Sequence, residues 1–289
     1  MISEIRKQKK SRIILSNPVT ITGIIAIAYM KAMHIPYALQ VEGGFPKKKR
    51  GLIGFFKRFA FSGASHYYSS SKVTDQYLII NGAKSNRISR FPFTSVGKGD
   101  INQLTKSQKK QIRKNLGLED VFTILYVGQF IPRKGIDILL EALGRCDKLI
   151  QAVLIGGKPT EEYSKMVEQY ELTRVYFKGF QSKDMVKKWM QAADVFVMPT
   201  RYDIWGLVVN EAMSQGLPVI SSNNCIAAKE MIVPGKNGFI FESENIIELS
   251  AIITELWQTG KWQEMKKHAY QTASEYTFEE MVEAHFGEW

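Results

Sequence analysis

The chain has 289 residues, enough for one large domain or two ordinary ones, each with a sizeable core. Hydrophobic residues make up 45% and charged residues 23%, a soluble globular balance. The two cysteines, Cys146 and Cys225, are far apart and lack metal-ligand spacing, which excludes a disulfide framework and suits a reducing cytoplasm. Lys and Arg total 39 against 28 Asp and Glu, a formal charge of +11 that calls for an anionic partner without choosing among nucleic acid, a phosphorylated small molecule and an acidic membrane surface.

In chain order, Arg6, Lys7, Lys9, Lys10 and Arg12 precede an apolar stretch from Val19 to Met30, an order that mimics a signal peptide. Ser16, Asn17 and Pro18 interrupt the approach, and Thr20 and Thr22 dilute the stretch. The expectation is therefore an internal helix over 19–33 capped by Ser16 or Asn17. No run reaches the ~20 apolar residues that a bilayer span needs. Short apolar strands follow at Ile13–Leu15, Tyr37–Val41, His66–Ser69 and Ile88–Phe91, separated by helices near 19–33, 51–62 and 72–81. That alternation predicts an α/β fold with a parallel sheet covered by helices. Around Phe93–Asp100 the composition turns to Gly, Ser, Thr and Lys and reads as a linker.

A second series begins with a basic helix over 105–116 that stops at Gly117. Strands are predicted at Val121–Val127, Ala152–Ile155, Val175–Phe177, Val195–Met198, Pro218–Ser221 and Phe239–Phe241. The helices between and after them lie near 136–146, 161–171, 183–193, 207–215, 226–232 and 246–258. This is the pattern of a doubly wound domain, in which ligands sit at the carboxyl ends of the strands.

The strongest local signal is Asp203-Ile-Trp-Gly206-Leu207-Val-Val-Asn-Glu211, which places a carboxylate in a loop, a glycine where backbone can approach a ligand, and then a helix start. Free N–H groups at that start attract phosphate, and Glu211 lies one turn in, so two carboxylates would stand near a phosphate site to accept bonds from sugar hydroxyls. The same spacing fits a capping Asp and a solvated Glu. A second segment, Gly128-Gln129-Phe-Ile-Pro-Arg133-Lys134-Gly135, joins a glycine turn to adjacent cations that would neutralise a diphosphate; it also fits an ordinary βα loop. Gly156-Gly157-Lys158 is equally ambiguous alone.

Taken together, these segments resemble the retaining family 4, or group 1, glycosyltransferases of GT-B fold. The likeness extends through Phe177-Lys-Gly-Phe180, Ala193-Asp194-Val195, the acidic-x7-Glu block and Pro234-Gly-Lys-Asn-Gly238, six ordered segments within 121–242. The resemblance implies two Rossmann-like doubly wound domains: residues 1–98 as a partial acceptor-side domain, 99–265 as the nucleotide-sugar donor domain, and 266–289 as a C-terminal helix packing back toward the first. It implies that Lys134 contacts the donor phosphates together with Gly206 and Leu207, that Glu211 holds the ribose hydroxyls and Asp203 the transferred sugar, and that residues around Gly156, Gly157 and Phe180 hold the base. The family usually has Glu at the position of Asp203 and Arg at that of Gln129, so Arg133 would supply the missing phosphate cation. No Asp-x-Asp motif occurs, so the resemblance implies a metal-independent site with no cofactor, the nucleotide sugar being substrate. Protein cations would then stabilise the leaving nucleoside diphosphate.

The family's first domain opens with a strand and Gly-rich turn that this chain starts beyond, so an exposed strand edge and an N-terminal partner chain are expected, and a split-subunit or non-catalytic donor-binding protein stands as the alternative. Glu42, after the strand ending at Val41, falls near the family's reacting sugar and is a candidate acceptor-site residue or a plain turn carboxylate. In Lys47-Lys48-Lys-Arg50-Gly-Leu52-Ile-Gly-Phe55-Phe56-Lys57-Arg58-Phe59, apolar residues recur at i, i+3, i+4 and i+7 beside cations. Such a helix packs on a core or docks on an anionic leaflet, where each Lys or Arg adds ~1 kcal/mol. The membrane-facing candidates are Lys48, Arg50, Phe55, Phe56, Lys57 and Phe59. Docking would suit a lipid-linked or glycan acceptor in capsule or exopolysaccharide assembly, with the protein cytoplasmic and peripheral at the inner face of the cell membrane. No helix-turn-helix or RNA-binding signature accompanies the basic residues, so no nucleic-acid partner is expected.

Overall fold

The structure, a computed structural model, describes residues 2–7, 12–47 and 51–286. Lys9, Lys10, Lys48, Arg50 and the last residues of the expected C-terminal helix lie outside the described residues. The chain forms two compact units, one running to Phe93 and taking in the segment from Glu280, the other spanning Thr94–Glu279.

In the first unit, β1 (Ile14–Ser16), β2 (Ala38–Val41), β3 (His66–Ser69) and β4 (Ile88–Arg90) form a parallel sheet in sequential order, with Ala38 opposite His66 and Tyr67 opposite Ile88. Each connection carries a helix: α2 (Ile21–Ala32), α3 (Gly51–Phe61) and α4 (Lys72–Ile80), preceded by a short α1 (Ile2–Lys7). Ala26, Ile27 and Met30 of α2 pack with Leu39, Phe61, Tyr67 and Leu78 to make the core. The start of α2 differs from the sequence expectation. Thr20 is its N-cap, accepting from Gly23 N at 3.0 Å, because Asn17 turns the chain at φ +54° and its carbonyl accepts from Thr20 N at 3.3 Å. The last helix, α13 (Phe278–Phe286), brings His285 onto Tyr68 with ring centroids 4.4 Å apart.

The second unit has six parallel strands: β5 (Thr123–Val127), β6 (Gln151–Ile155), β7 (Val175–Lys178), β8 (Val195–Met198), β9 (Val219–Ser222) and β10 (Gly238–Phe241). They lie in the order β10-β9-β8-β5-β6-β7. The winding reverses between β5 and β8, where Ile124 pairs with Val195, so the loops leaving these two strands diverge and open a crevice at their carboxyl ends. The helices are α5 (Lys106–Leu116), α6 (Ile136–Gly144), α7 (Glu161–Gln169), α8 (Lys183–Ala192), α9 (Leu207–Ser214), α10 (Ile226–Met231), α11 (Ile246–Thr259) and α12 (Trp262–Ser274). Ile124, Leu139, Leu154, Val197, Ile253 and Leu256 are buried in one continuous core.

Asp194 is a support of this unit. Its carboxylate, buried at the start of β8, accepts from Arg113 Nη2 at 2.6 Å and from Thr123 N at 2.9 Å, tying α5 to the sheet. A buried carboxylate left without such donors would cost several kcal/mol.

Candidate donor site

The loops after β5 and β8 are laced together at the crevice. Arg133 donates from Nη1 to the Tyr202 carbonyl at 2.7 Å, and the Arg133 carbonyl accepts from Arg201 N at 2.9 Å and Thr200 Oγ1 at 3.0 Å. Lys134 Nζ then stands 2.5 Å from Asp203 Oδ2, with Arg133 Nη1 at 3.8 Å from the same oxygen. Two cations and one carboxylate leave a net positive site, compact enough for a diphosphate. Asp203 is held from behind, donating its N–H to Asn224 O at 2.9 Å.

Helix α9 starts beside this cluster. Gly206 caps it at φ +101°, a left-handed conformation, and a Cβ there would lie 2.7 Å from Cys225 Sγ, so only glycine fits. The first N–H groups of α9, at Leu207 and Val208, open toward this cluster and carry the positive end of the helix, while Val209 N donates to the Gly206 carbonyl at 2.9 Å. Cys225 is fully buried and donates to Trp205 O at 3.0 Å; burial pushes its thiol up to about 12, so it packs and is no nucleophile.

One turn on, Glu211 enters a cleft of about 290 Å³ whose walls include Ser95, Val127, Phe180, Lys183, Lys187 and Met190. The Ser95 hydroxyl donates to Glu211 Oε1 at 2.6 Å. Ser95 itself is fixed by neighbours: Asn210 Nδ2 donates to Thr94 Oγ1 at 2.6 Å and to Tyr276 O at 2.8 Å, and Phe278 N donates to Val96 O at 2.9 Å. Lys187 Nζ is tied to Asp100 Oδ1 at 3.0 Å, and the Gly97 N–H together with Lys187 holds the Asp100 carboxyl below the usual range. Phe180 is 89% exposed, an aromatic face with nothing yet stacked on it among the described residues.

The sequence-predicted residues therefore fall into four groups within this unit. Glu211 and Phe180 share the cleft; Arg133, Lys134 and Asp203 make the charged cluster; Gly206 and Leu207 start the helix that joins them. Gly128, Gln129, Gly156 and Gly157 end β5 and β6 and do not line the cleft. Gly156 sits at φ +136°, and a Cβ there would lie 2.1 Å from the Gly128 carbonyl oxygen, so these glycines let the two strand ends approach. The Tyr126 hydroxyl donates to Gln129 O at 3.1 Å and fixes the same turn.

Glu42 lies in the first unit just past β2, half-buried, its carbonyl accepting from Ser70 Oγ at 2.9 Å. Of the membrane-facing candidates, Phe55 and Phe56 are exposed on α3 with Leu52 and Ile53, whereas Phe59 is partly buried on the core, its ring 4.1 Å from Lys31 Nζ. Lys57 Nζ donates to the Tyr77 hydroxyl at 3.1 Å.

Ser95, Val127, Lys183 and Lys187 were not singled out by the sequence. Lys183 and Lys187, four apart on a helix beside Phe180, carried a signal; Ser95, inside a stretch that reads as a linker, carried none.

The family model described as "Glycosyl transferases group 1" matches residues 107–275, more than half of the chain. The chain is 29% identical over 259 residues to a sulfoquinovosyl transferase of Arabidopsis thaliana, covering 85% of this chain and 49% of that protein. It is 25% identical over 283 residues to a putative teichuronic acid biosynthesis glycosyltransferase of Bacillus subtilis, covering 88% and 68%. The chain thus spans about half the length of the first of these relatives. Among solved structures, Anabaena HepE in complex with UDP is similar with a TM-score of 0.81 at 20% identity, covering 98% of this chain and 79% of that one. That likeness gives the fold, GT-B with two Rossmann-like units. Among the described residues no helix is long and apolar enough to cross a membrane, and no group of three or more His, Cys, Asp or Glu could hold a metal ion. With the family match resting on the very strands and loops that build this crevice, the chain belongs to the group 1 glycosyl transferases.

Proposed function

We propose that this chain transfers a sugar from a nucleotide-sugar donor to a lipid-linked glycan acceptor in surface-polysaccharide assembly, with retention at the anomeric carbon. The observation that carries this reading is the pairing of Glu211, held by Ser95 in a cleft with Phe180, with the Lys134–Asp203–Arg133 cluster at the other end of α9's first turn. Glu211 accepts bonds from the ribose hydroxyls and the Phe180 ring covers the base. The N–H groups opening α9 take the diphosphate with Lys134 and Arg133. Asp203, released from Lys134 as phosphate competes for that ammonium, accepts from a hydroxyl of the sugar.

In a same-face transfer the bond from the anomeric carbon to the β-phosphate oxygen breaks as the acceptor oxygen bonds on that face, and the acceptor proton passes to the departing phosphate. No protein base is needed. Lys134, Arg133 and the helix start stabilise the charge that develops on the leaving group, and neither cofactor nor metal takes part in this reading. Calorimetry with UDP-, GDP- and ADP-sugars tests the donor half. Saturable binding of one donor, lost in Glu211→Ala, is expected; no binding by folded protein defeats the reading. The anomeric proton coupling of the product, read by NMR, checks retention.

The lipid side of the reading rests on α3, where Leu52 is 77% and Phe55 58% exposed beside the basic run that begins at Lys47. An apolar face next to cations fits an anionic leaflet at the inner face of the membrane. Phe55→Ser/Phe56→Ser should release the chain from phosphatidylglycerol vesicles, and unchanged sedimentation with them removes this part. A second reading comes from β1, which pairs on one side only among the described residues: a partner chain would add a strand there before turnover begins. A monomer that turns over donor by itself rules that out.

A further inference from the structure

A second basic cleft lies in the Thr94–Glu279 unit between the start of α5, the end of α8 and the face of α12, with a volume of about 310 Å³. Lys106, Lys109, Lys266 and Lys267 line it, with Thr105 and Gln191, and among the described residues no Asp or Glu does. Thr105 caps α5, accepting from Gln108 N at 3.3 Å, so the positive end of an 11-residue helix opens on the cleft. Behind the wall stands one carboxylate, Asp194. Its Oδ1 is 2.5 Å from Lys109 Nζ, while Oδ2 is committed to Arg113 and the Thr123 N–H. The Trp262 ring lies under both inner ammoniums, 5.3 Å from Lys109 Nζ and 4.7 Å from Lys266 Nζ, and holds them near each other. One carboxylate thus faces Lys109, Lys266 and Arg113, with Lys106 and Lys267 at the rim.

We propose that this cleft is a binding site for a diphosphate-sized anion, separate from the donor crevice. The volume holds roughly ten waters at about 30 Å³ each, room for a diphosphate and part of its hydration shell. Four lysines, with Lys106 and Lys267 exposed at the rim, match an anion of high charge better than a single carboxylate does. Burial lowers the basicity of Lys109 and of Lys266. A bound anion opposes that lowering, so binding favours the ammonium forms and strengthens as pH falls. The cleft also reaches the end of α9 through Gln215, which lines it and also lines the cleft holding Glu211; its carbonyl accepts from the Tyr270 hydroxyl at 3.1 Å.

The test titrates the full chain carrying Lys134→Ala, which removes one of the two phosphate cations proposed for the donor crevice, with pyrophosphate in a calorimeter. One saturable event is expected. Adding Lys106→Gln and Lys266→Gln should weaken it tenfold or more, while adding Lys165→Gln and Lys236→Gln, the same charge change on exposed residues away from the cleft, should leave it within twofold. Equal weakening by both pairs overturns the proposal, as does the absence of a saturable event in the Lys134→Ala chain. Should Lys266→Gln prevent folding, Lys106→Gln alone, at the rim, must still weaken binding threefold or more; unchanged affinity there also overturns it.

Discussion

The Ser95 hydroxyl donates to Glu211 Oε1 at 2.6 Å, joining a residue at the very start of the second unit to the carboxylate one turn into α9. Ser95 stands on Thr94 and Val96, which Asn210 and Phe278 hold, so it orients Glu211 before any ligand arrives. Ser95→Ala should therefore weaken donor binding by about 1 kcal/mol, roughly fivefold, the typical net contribution of one hydrogen bond. Glu211→Ala should cost more, roughly tenfold to a hundredfold, because it removes the acceptor itself. Equal losses in calorimetry would mean that Ser95 contacts the donor directly rather than through Glu211.

Lys134 and Asp203 form a largely buried pair, and removing Lys134 leaves Asp203 with only the longer contact to Arg133. Lys134→Ala should destabilise the free protein by about 2 kcal/mol, while Lys134→Ala/Asp203→Asn should recover part of that loss, since no unpaired charge remains. Donor binding should fall in both. Chemical denaturation of the two single variants and the double gives the coupling; a double variant as unstable as the summed singles argues that the pair contributes nothing to folding and is kept only for the phosphate.

Gly206 combines a left-handed φ of +101° with a Cβ position 2.7 Å from Cys225 Sγ, so Gly206→Ala meets both backbone strain and a clash with a buried sulfur. The expected cost is about 2–4 kcal/mol, with the start of α9 displaced and donor binding lost more steeply than stability. Gly206→Ala/Cys225→Ala relieves the clash but not the strain, and should recover only part of the melting temperature. Full recovery would show that the glycine serves packing alone.

The strands of both units were legible because buried parallel strands read as short runs of Val, Ile, Leu, Phe and Tyr between polar breaks; Val195–Met198 and His66–Ser69 fall at the residues expected. The acidic-x7-Glu spacing put Asp203 and Glu211 on a loop and a helix start for a reason visible in the residues: a glycine before an apolar helix run. What the sequence hid was tertiary. The Gly-, Ser- and Lys-rich stretch around 93–100 looks like a linker, yet Ser95 and Asp100 line the Glu211 cleft, and the stretch is held by bonds from Asn210 to Thr94, from Lys187 to Asp100 and, across more than 180 residues of chain, from Phe278 N to Val96 O. The cap of α2 was hidden in the same way, since Ser16, Asn17 and Thr20 are all good capping residues and only the turn at Asn17 selects Thr20. Lys109 and Lys266 converge on Trp262 from separate helices, a cluster no local pattern announces.

Lys109 carries the last prediction, a pH dependence of stability. Its ammonium is pushed down to about 7, first by burial and further by Lys266 and Arg113, against the pull of Asp194. The unfolded chain holds the same lysine at its ordinary value near 10.4. Between those values the unfolded state binds the extra proton, so stability rises with pH across that window, by at most about 1.4 kcal/mol per pH unit, and is lost again as pH falls through about 7. Lys109→Met abolishes the effect while Asp194 keeps Arg113 and the Thr123 N–H. Urea denaturation of wild type and Lys109→Met at pH 6.5, 8 and 9.5 should show the wild type gaining on the variant as pH rises. A constant difference over that range would mean that Asp194 keeps Lys109 charged throughout. Filling the cleft with pyrophosphate should flatten the wild-type slope, because the anion supplies the charge that burial denies and brings the folded lysine back toward its unfolded value.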